Sequence, residues 1–132
     1  MYPADLKYSK EHEWVKVEGK RGRIGLTHHA QHALGDVVFV EVPKVGRAVK
    51  QMEAFGVVES VKATSDIYAP MGGKVLAVNE ELQGDPAVIN SDPYGAGWIV
   101  RFQVSAASEY DSLLDAAAYT EHVQKEEEKG GH

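Results

Sequence analysis

The chain has no cysteine among its 132 residues. That absence excludes disulfide scaffolds, thiolate zinc sites, iron–sulfur clusters and cysteine nucleophiles together. Any redox chemistry must therefore come from a bound group. There is also no surplus of positive charge. Fourteen Lys and Arg against 20 Asp and Glu give a formal net charge of −6, the reverse of the balance a nucleic-acid binder carries, so no nucleic-acid partner is expected. Long hydrophobic runs are lacking as well: Val37-Val38-Phe39-Val40 and Phe55-Gly56-Val57-Val58 fall far short of the ~20 residues that span a bilayer, and no membrane contact is expected. The opening residues Met1-Tyr2-Pro3-Ala4-Asp5-Leu6-Lys7 have neither the apolar core of a secretory signal nor the Arg-rich character of an organelle presequence. The expected setting is cytoplasmic, or the mitochondrial matrix for a processed eukaryotic chain.

What is present is an ordinary globular mixture, 43% hydrophobic and 26% charged, in a length that suits one domain over 1–132. Its packed core is expected over about 6–119, with a solvated, frayed tail over 125–132. Two-residue alternation is the clearest pattern. Trp98, Val100, Phe102 and Val104 alternate with Ile99, Arg101 and Gln103, and further strands are expected around Val15–Glu18, Asp36–Val42, Ala54–Ser60 and Lys74–Val78. Gly46, Gly72-Gly73 and Pro93 punctuate them, which predicts a mainly β, small antiparallel sandwich or barrel. Helices are expected to be few. Thr27 caps a short one over 28–34, where Ala30, Ala33 and Leu34 share a face and Gly35 supplies the stop. Leu113, Leu114, Ala117, Ala118 and His122 give a helical spacing near the C-terminus. A faint repeat relates Pro43-x-x-Gly46-Arg47 to Pro70-x-x-Gly73-Lys74, 27 residues apart, as in a fold with two similar halves facing each other.

Three constellations bear on chemistry. Lys62 lies between two strand-like runs and is followed by small or hydroxylated residues, Ala63, Thr64 and Ser65, which is hairpin-tip composition. An amine exposed there suits covalent modification, although a solvated turn lysine has the same local pattern. His28 and His32 are spaced i, i+4 on the short helix, a spacing that lets two histidines share a zinc ion, but no carboxylate follows in the metalloprotease pattern and no metal site is expected. Ser60, Thr64 and Ser65 have no triad order or oxyanion motif around them, so hydrolase chemistry is not expected.

The motif set narrows the alternatives. Glu59-Ser60-Val61-Lys62-Ala63, with His12-Glu13-Trp14 upstream, Leu34-Gly35-Asp36 between, and Asn90-Ser91-Asp92-Pro93-Tyr94-Gly95-Ala96-Gly97-Trp98 downstream, resembles the glycine cleavage system H-protein family over about 6–119. Biotin carrier domains usually flank their lysine with methionines, and the lipoyl domains of 2-oxo acid dehydrogenases usually place Asp before it. Here the neighbours are Val61 and Ala63.

The resemblance implies a flattened barrel-sandwich hybrid of the biotinyl/lipoyl-carrier type, with a short internal helix and C-terminal helix or helices. It implies a monomeric, non-catalytic lipoyl-carrier domain with lipoate in amide linkage on Lys62. In that family the lipoyl group accepts an aminomethyl unit from a pyridoxal-phosphate glycine decarboxylase. The unit is then presented to a tetrahydrofolate-dependent aminomethyltransferase, and the dithiol is reoxidised by the FAD enzyme dihydrolipoamide dehydrogenase. By motif position, Glu13 and Asp66 are implied as contacts of the loaded arm and Glu59 as a determinant read by the lipoyl-transfer enzyme. A module relaying lipoyl groups to other enzymes would need the same lysine. The chain departs from the family pattern in three places. Ala33 stands where a histidine can precede Leu-Gly, with His32 one place earlier. Met52 stands where Gly is usual, so a positive φ there would be strained. Gly72 stands where Ser or Ala is common.

Overall fold

The computed structural model describes residues 2–130. Its elements, in chain order, are β1 (Lys7–Tyr8), β2 (Glu13–Glu18), β3 (Arg21–Leu26), α1 (His28–Leu34), β4 (Val37–Glu41), β5 (Ala48–Val49) and β6 (Ala54–Ser60). They continue with β7 (Thr64–Tyr68), β8 (Gly73–Val78), α2 (Glu81–Gly84), α3 (Val88–Ser91), β9 (Val100–Val104), α4 (Ser108–Asp111) and α5 (Ala116–Gly130). The strands form two sheets, one ordered β1-β2-β3-β9-β8-β5 and the other β4-β6-β7. All pairings are antiparallel. The sheets face each other without closing into a barrel, which is the flattened sandwich the strand pattern and the resemblance imply.

Alternation decides what each strand buries, because successive side chains point to opposite faces of a sheet. In β9, Val100 and Phe102 are buried while Arg101 and Gln103 are exposed. Val15, Ile24, Val100 and Phe102 from the larger sheet meet Val40, Phe55, Val58 and Ile67 from the smaller one in a shared core. A second cluster, Leu6, Tyr8, Trp14, Tyr119 and Val123, fastens α5 to the start of the chain. The faint repeat corresponds to a pairing. Val49 opposes Gly73, Ala48 opposes Lys74, and Gly46 N–H donates to Val75 O at 2.8 Å, so the two similar segments lie antiparallel against each other.

Several expectations need correction. Among the described residues there are five helices, three of them single turns of four residues. β3 is not among the expected strands. Its glycines are there for room: a Cβ on Gly22 would lie 2.6 Å from the Phe102 ring, and one on Gly25 2.6 Å from the Trp14 indole. Trp98 and Ile99 precede β9, and Ile99 is fully buried rather than facing out with Arg101. Leu113 and Leu114 lie before α5; Leu114 bridges to Tyr8 instead of sharing a helix face with His122. The buried stripe of α5 is Tyr119 and Val123, spaced i, i+4. The expected frayed tail differs too. α5 runs through 125–130, and Glu126 is paired to His12 and His122. Residues 131 and 132 lie outside the described residues.

Candidate functional site

Ser60-Val61-Lys62-Ala63 is the turn joining β6 to β7, closed by Ser60 N–H to Ala63 O at 2.8 Å. Lys62 is at its tip and exposed. The Ser60 hydroxyl organises the turn. It donates to Leu34 O at 2.6 Å and accepts from the backbone N–H of both Lys62 and Ala63 at 3.1 Å. Val61 N–H donates to Asp36 O at 3.0 Å. The hairpin tip is thus fastened to the end of α1, so the lysine is exposed at its side chain and held at its backbone. α1 itself obeys its local signals. Thr27 Oγ1 accepts from Ala30 N–H at 3.1 Å, and Gly35 caps the C-terminus with φ 80°. That left-handed φ favours glycine. It also leaves space for the Lys62 stem, since a Cβ on Gly35 would lie 3.2 Å from Lys62 Cε.

The downstream motif works at a distance to hold this arrangement. Asn90 Oδ1 accepts from Val37 N–H at 2.9 Å, and its Nδ2 donates to Gly35 O at 2.9 Å and to Gln31 Oε1 at 3.0 Å. One amide therefore fixes both ends of the segment that braces Val61. Tyr94 Oη accepts from His28 N–H at 2.8 Å, and Pro93 O accepts from Trp14 Nε1 at 2.9 Å. Trp14 is core, 1% exposed.

Beside the hairpin lies a groove of about 440 Å³. It is lined by Val58, Ala63, Thr64, Ser65 and Asp66 of the hairpin, by His29, Ala30, Ala33 and Leu34 of α1, by Glu11, His12, Glu13 and Leu26, and by Glu126 of α5. A larger depression of about 560 Å³ lies between Lys16, Arg23, Arg101 and Leu76. It is lined by none of the residues around Lys62. The structure brings Glu13 and Asp66 to one groove and leaves Glu59 exposed on β6, opposite Thr64 and Phe39.

Glu13 is not the surface carboxylate that its place before a strand suggests. It is 1% exposed. One oxygen takes the Ser9 hydroxyl in a short hydrogen bond, and the other accepts Tyr68 N–H at 3.1 Å. The second contact satisfies a donor on the edge strand β7 and ties the small sheet to the large one. Burial pushes the Glu13 carboxyl up to about 8, against the hydrogen bonds from Ser9 and Tyr68 that favour its charged form. Asp66 is exposed on β7.

Residues that pattern reading missed gather in the lining of the groove. His12 sits in a turn with φ 74°. Its Nδ1 is 2.8 Å from Tyr119 Oη and its Nε2 2.7 Å from Glu126 Oε1. The His29 ring lies 4.6 Å from that of His12, centre to centre. Burial, and then the neighbouring His12, lower the His29 pKa. Separations of 107 and 114 residues to His12's partners leave no local trace in the sequence. Ala33 lines the groove while His32 stacks on His28 at 6.0 Å, so the one-residue offset from the family pattern turns that histidine away. Met52 does adopt φ 64°, whereas Gly72 is not in the left-handed region.

Comparison with known proteins agrees with the motif set. The family model described as glycine cleavage H-protein matches residues 6–126. The glycine cleavage system H protein of Symbiobacterium thermophilum is 62% identical over 117 residues, covering 89% of this chain and 91% of that one. That of Bacillus subtilis is 52% identical over 124 residues, covering 94% and 98%. The crystal structure of a glycine cleavage system H protein from Mycobacterium marinum superposes with a TM-score of 0.82 at 40% identity, covering 94% of this chain and 98% of that one. With the strand order, the braced lysine hairpin and these matches in agreement, the chain belongs to the glycine cleavage H-protein family.

Proposed function

We propose that the chain carries lipoate in amide linkage on Lys62 and that the groove beside the hairpin receives the loaded arm. As a member of its family, the protein is a lipoyl-carrier component of the glycine cleavage system and not a catalyst. The observation that carries the residue assignment is the hairpin: an exposed lysine whose turn is fixed to α1 through Ser60 and Val61, with its stem over Gly35 and a groove alongside. When bound, lipoate supplies the exchangeable sulfur pair that a chain without cysteine lacks. The chain's own residues do the rest. The braced turn presents the lysine to a lipoyl-transfer enzyme, with the exposed Glu59 two rungs from the tip as the charge that enzyme reads. The α1 wall excludes water from the arm. Glu13 and Asp66 provide carboxyl groups for an amine cargo, and a buried carboxyl that meets the neutral amine passes its proton to it and becomes the partner of the ammonium so formed.

The partners follow from this reading: glycine decarboxylase with pyridoxal phosphate, a tetrahydrofolate-dependent aminomethyltransferase and dihydrolipoamide dehydrogenase with FAD, met by a monomer in the cytoplasm. No described helix is long and apolar enough to cross a membrane. The test is intact mass before and after incubation with a lipoyl-transfer enzyme, ATP and lipoate, followed by peptide mapping and a glycine decarboxylation assay with the partner enzymes. A single lipoyl increment on Lys62 and turnover with the loaded chain are expected. An increment on Lys50 or Lys74 would overturn the site, and a loaded chain inert with glycine decarboxylase would favour lipoyl relay.

A further inference from the structure

We propose that His12, His29 and Glu126 form a binding site for a divalent transition-metal ion of the zinc type in the lining of the groove. Their candidate ligand atoms all lie within 4.8 Å of one another, the one such group of three among the described residues. They come from three separate elements: the turn before β2, α1 and α5. Zinc–ligand bonds of roughly 2.0–2.2 Å in a tetrahedron separate ligand atoms by about 3.3–3.6 Å, so side-chain rotations on the order of 1 Å complete the set. Two imidazoles and one carboxylate select zinc, cobalt or nickel over calcium and magnesium, which prefer all-oxygen shells.

A chance meeting of surface side chains would lack a supporting shell, and this group has one. The second nitrogen of His12 faces Tyr119 Oη at 2.8 Å, and Tyr119 Oη in turn faces Thr27 Oγ1 at 2.7 Å. The second oxygen of Glu126 lies 2.9 Å from His122 Nε2, a nitrogen that also faces Lys10 O at 3.0 Å. Partners of this kind fix the ring orientation and the basicity of metal ligands. Metal at His12 Nε2 moves that ring's proton to Nδ1, which then donates to Tyr119 Oη. The tyrosine proton turns to Thr27 Oγ1, which has a lone pair beyond the one that accepts Ala30 N–H, so the His12–Tyr119 and Tyr119–Thr27 contacts are both kept. The backbone is set to the same end. His12 has φ 74°, a region costly for a residue with a Cβ, and is held there by His12 N–H to Ser9 O at 3.2 Å and Thr27 N–H to His12 O at 3.1 Å. All three ligands line the groove, so a fourth position is open towards it, as in metal sites that take an exogenous ligand.

The competing arrangement is His28 with His32. These are exposed, lie on one helix, and stack at 6.0 Å. The experiment separates the two, and it uses the full-length chain without lipoate, so its outcome is independent of the reading of Lys62. Metal-free protein is titrated with Co2+ and followed by its visible ligand-field bands, then with Zn2+ to displace the cobalt. One-to-one binding with the bands of a four-coordinate ion is expected. His29→Ala should weaken it by about a hundredfold or more, Glu126→Gln comparably, and His122→Ala by about tenfold, the range for removing an outer-shell partner. The double change His28→Ala with His32→Ala should leave it intact. His29→Ala keeps a good helix former in α1, and its thermal midpoint without metal checks that the fold is retained. No one-to-one binding by the parent would overturn the proposal. So would cobalt bands that survive His29→Ala and vanish in the His28/His32 double variant.

Discussion

Replacing Glu13 by glutamine should make the protein less sensitive to alkali, with a size set by burial. Glu13 is 1% exposed and accepts from Tyr68 N–H and the Ser9 hydroxyl. A glutamine in the same rotamer keeps both contacts: its oxygen accepts from Tyr68, its amide donates to Ser9, and no charge can form. In the parent, burial raises the carboxyl from 4.5 to about 8, so between these values the folded chain holds a proton that the unfolded chain has released. Stability then falls as pH rises. The contribution is fully present below about 4.5 and is lost progressively up to and through 8. At 1.36 kcal/mol per unit, integration of a shift from 4.5 to about 8 gives a loss on the order of 4 kcal/mol between about pH 5 and pH 9. The assay is urea unfolding of parent and Glu13→Gln at pH 5, 7 and 9. Every other titrating group is common to both chains, so the gap between them isolates Glu13. That gap should open in the variant's favour by several kcal/mol across the range. A constant gap would refute the reasoning, because Glu13 would then be titrating as an exposed carboxylate despite its burial.

The same substitution probes the arm. Glu13→Gln should accept lipoate normally but, once loaded with amine cargo, release formaldehyde and ammonia roughly ten- to a hundredfold faster without the transferase, corresponding to ~1.5–3 kcal/mol for a charged hydrogen bond. Adduct lifetime by mass spectrometry, beside Asp66→Ala, checks it; a short life for Asp66→Ala alone would move the role there. Glutamine is a better probe than alanine, which would strand the Tyr68 N–H. Lys62→Arg should abolish lipoylation while changing stability by less than about 0.5 kcal/mol, since the side chain is exposed; an unfolding midpoint and an intact mass decide both parts. Glu59→Gln should slow lipoyl transfer without lowering stability, and equal initial rates for the two chains would remove it from the recognised surface. Met52 holds φ 64° with its side chain partly exposed, so Met52→Gly should raise stability by about 0.5–1 kcal/mol and Met52→Val lower it, by thermal unfolding.

What the sequence by itself determined was local. Thr27 and Gly35 bound a helix because a hydroxyl three residues before a free N–H and a residue tolerant of positive φ act within one turn of chain, and α1 spans His28–Leu34 between them. Lys62 could be placed at a hairpin tip because two strand-like runs lie close on either side of it, with small or hydroxylated residues just after it. The 27-residue echo was legible as spacing, though not as the pairing of β5 with β8. Burial and convergence were decided only in three dimensions. Whether Glu13 is a surface carboxylate or a buried acid depends on Tyr68, 55 residues away, and desolvation is a property of everything packed around a group. The glycines of β3 have their reason in three dimensions, where the rings of Phe102 and Trp14 leave no room for a Cβ. The stripe on α5 that matters, Tyr119 and Val123, is the one that meets Tyr8 and Leu6; a weakly amphipathic helix does not announce which of its faces will find a partner. Asn90 braces the lysine hairpin, and His12, His29 and Glu126 meet at the groove, because the chain returns across separations where loop closure, not local propensity, sets which side chains become neighbours.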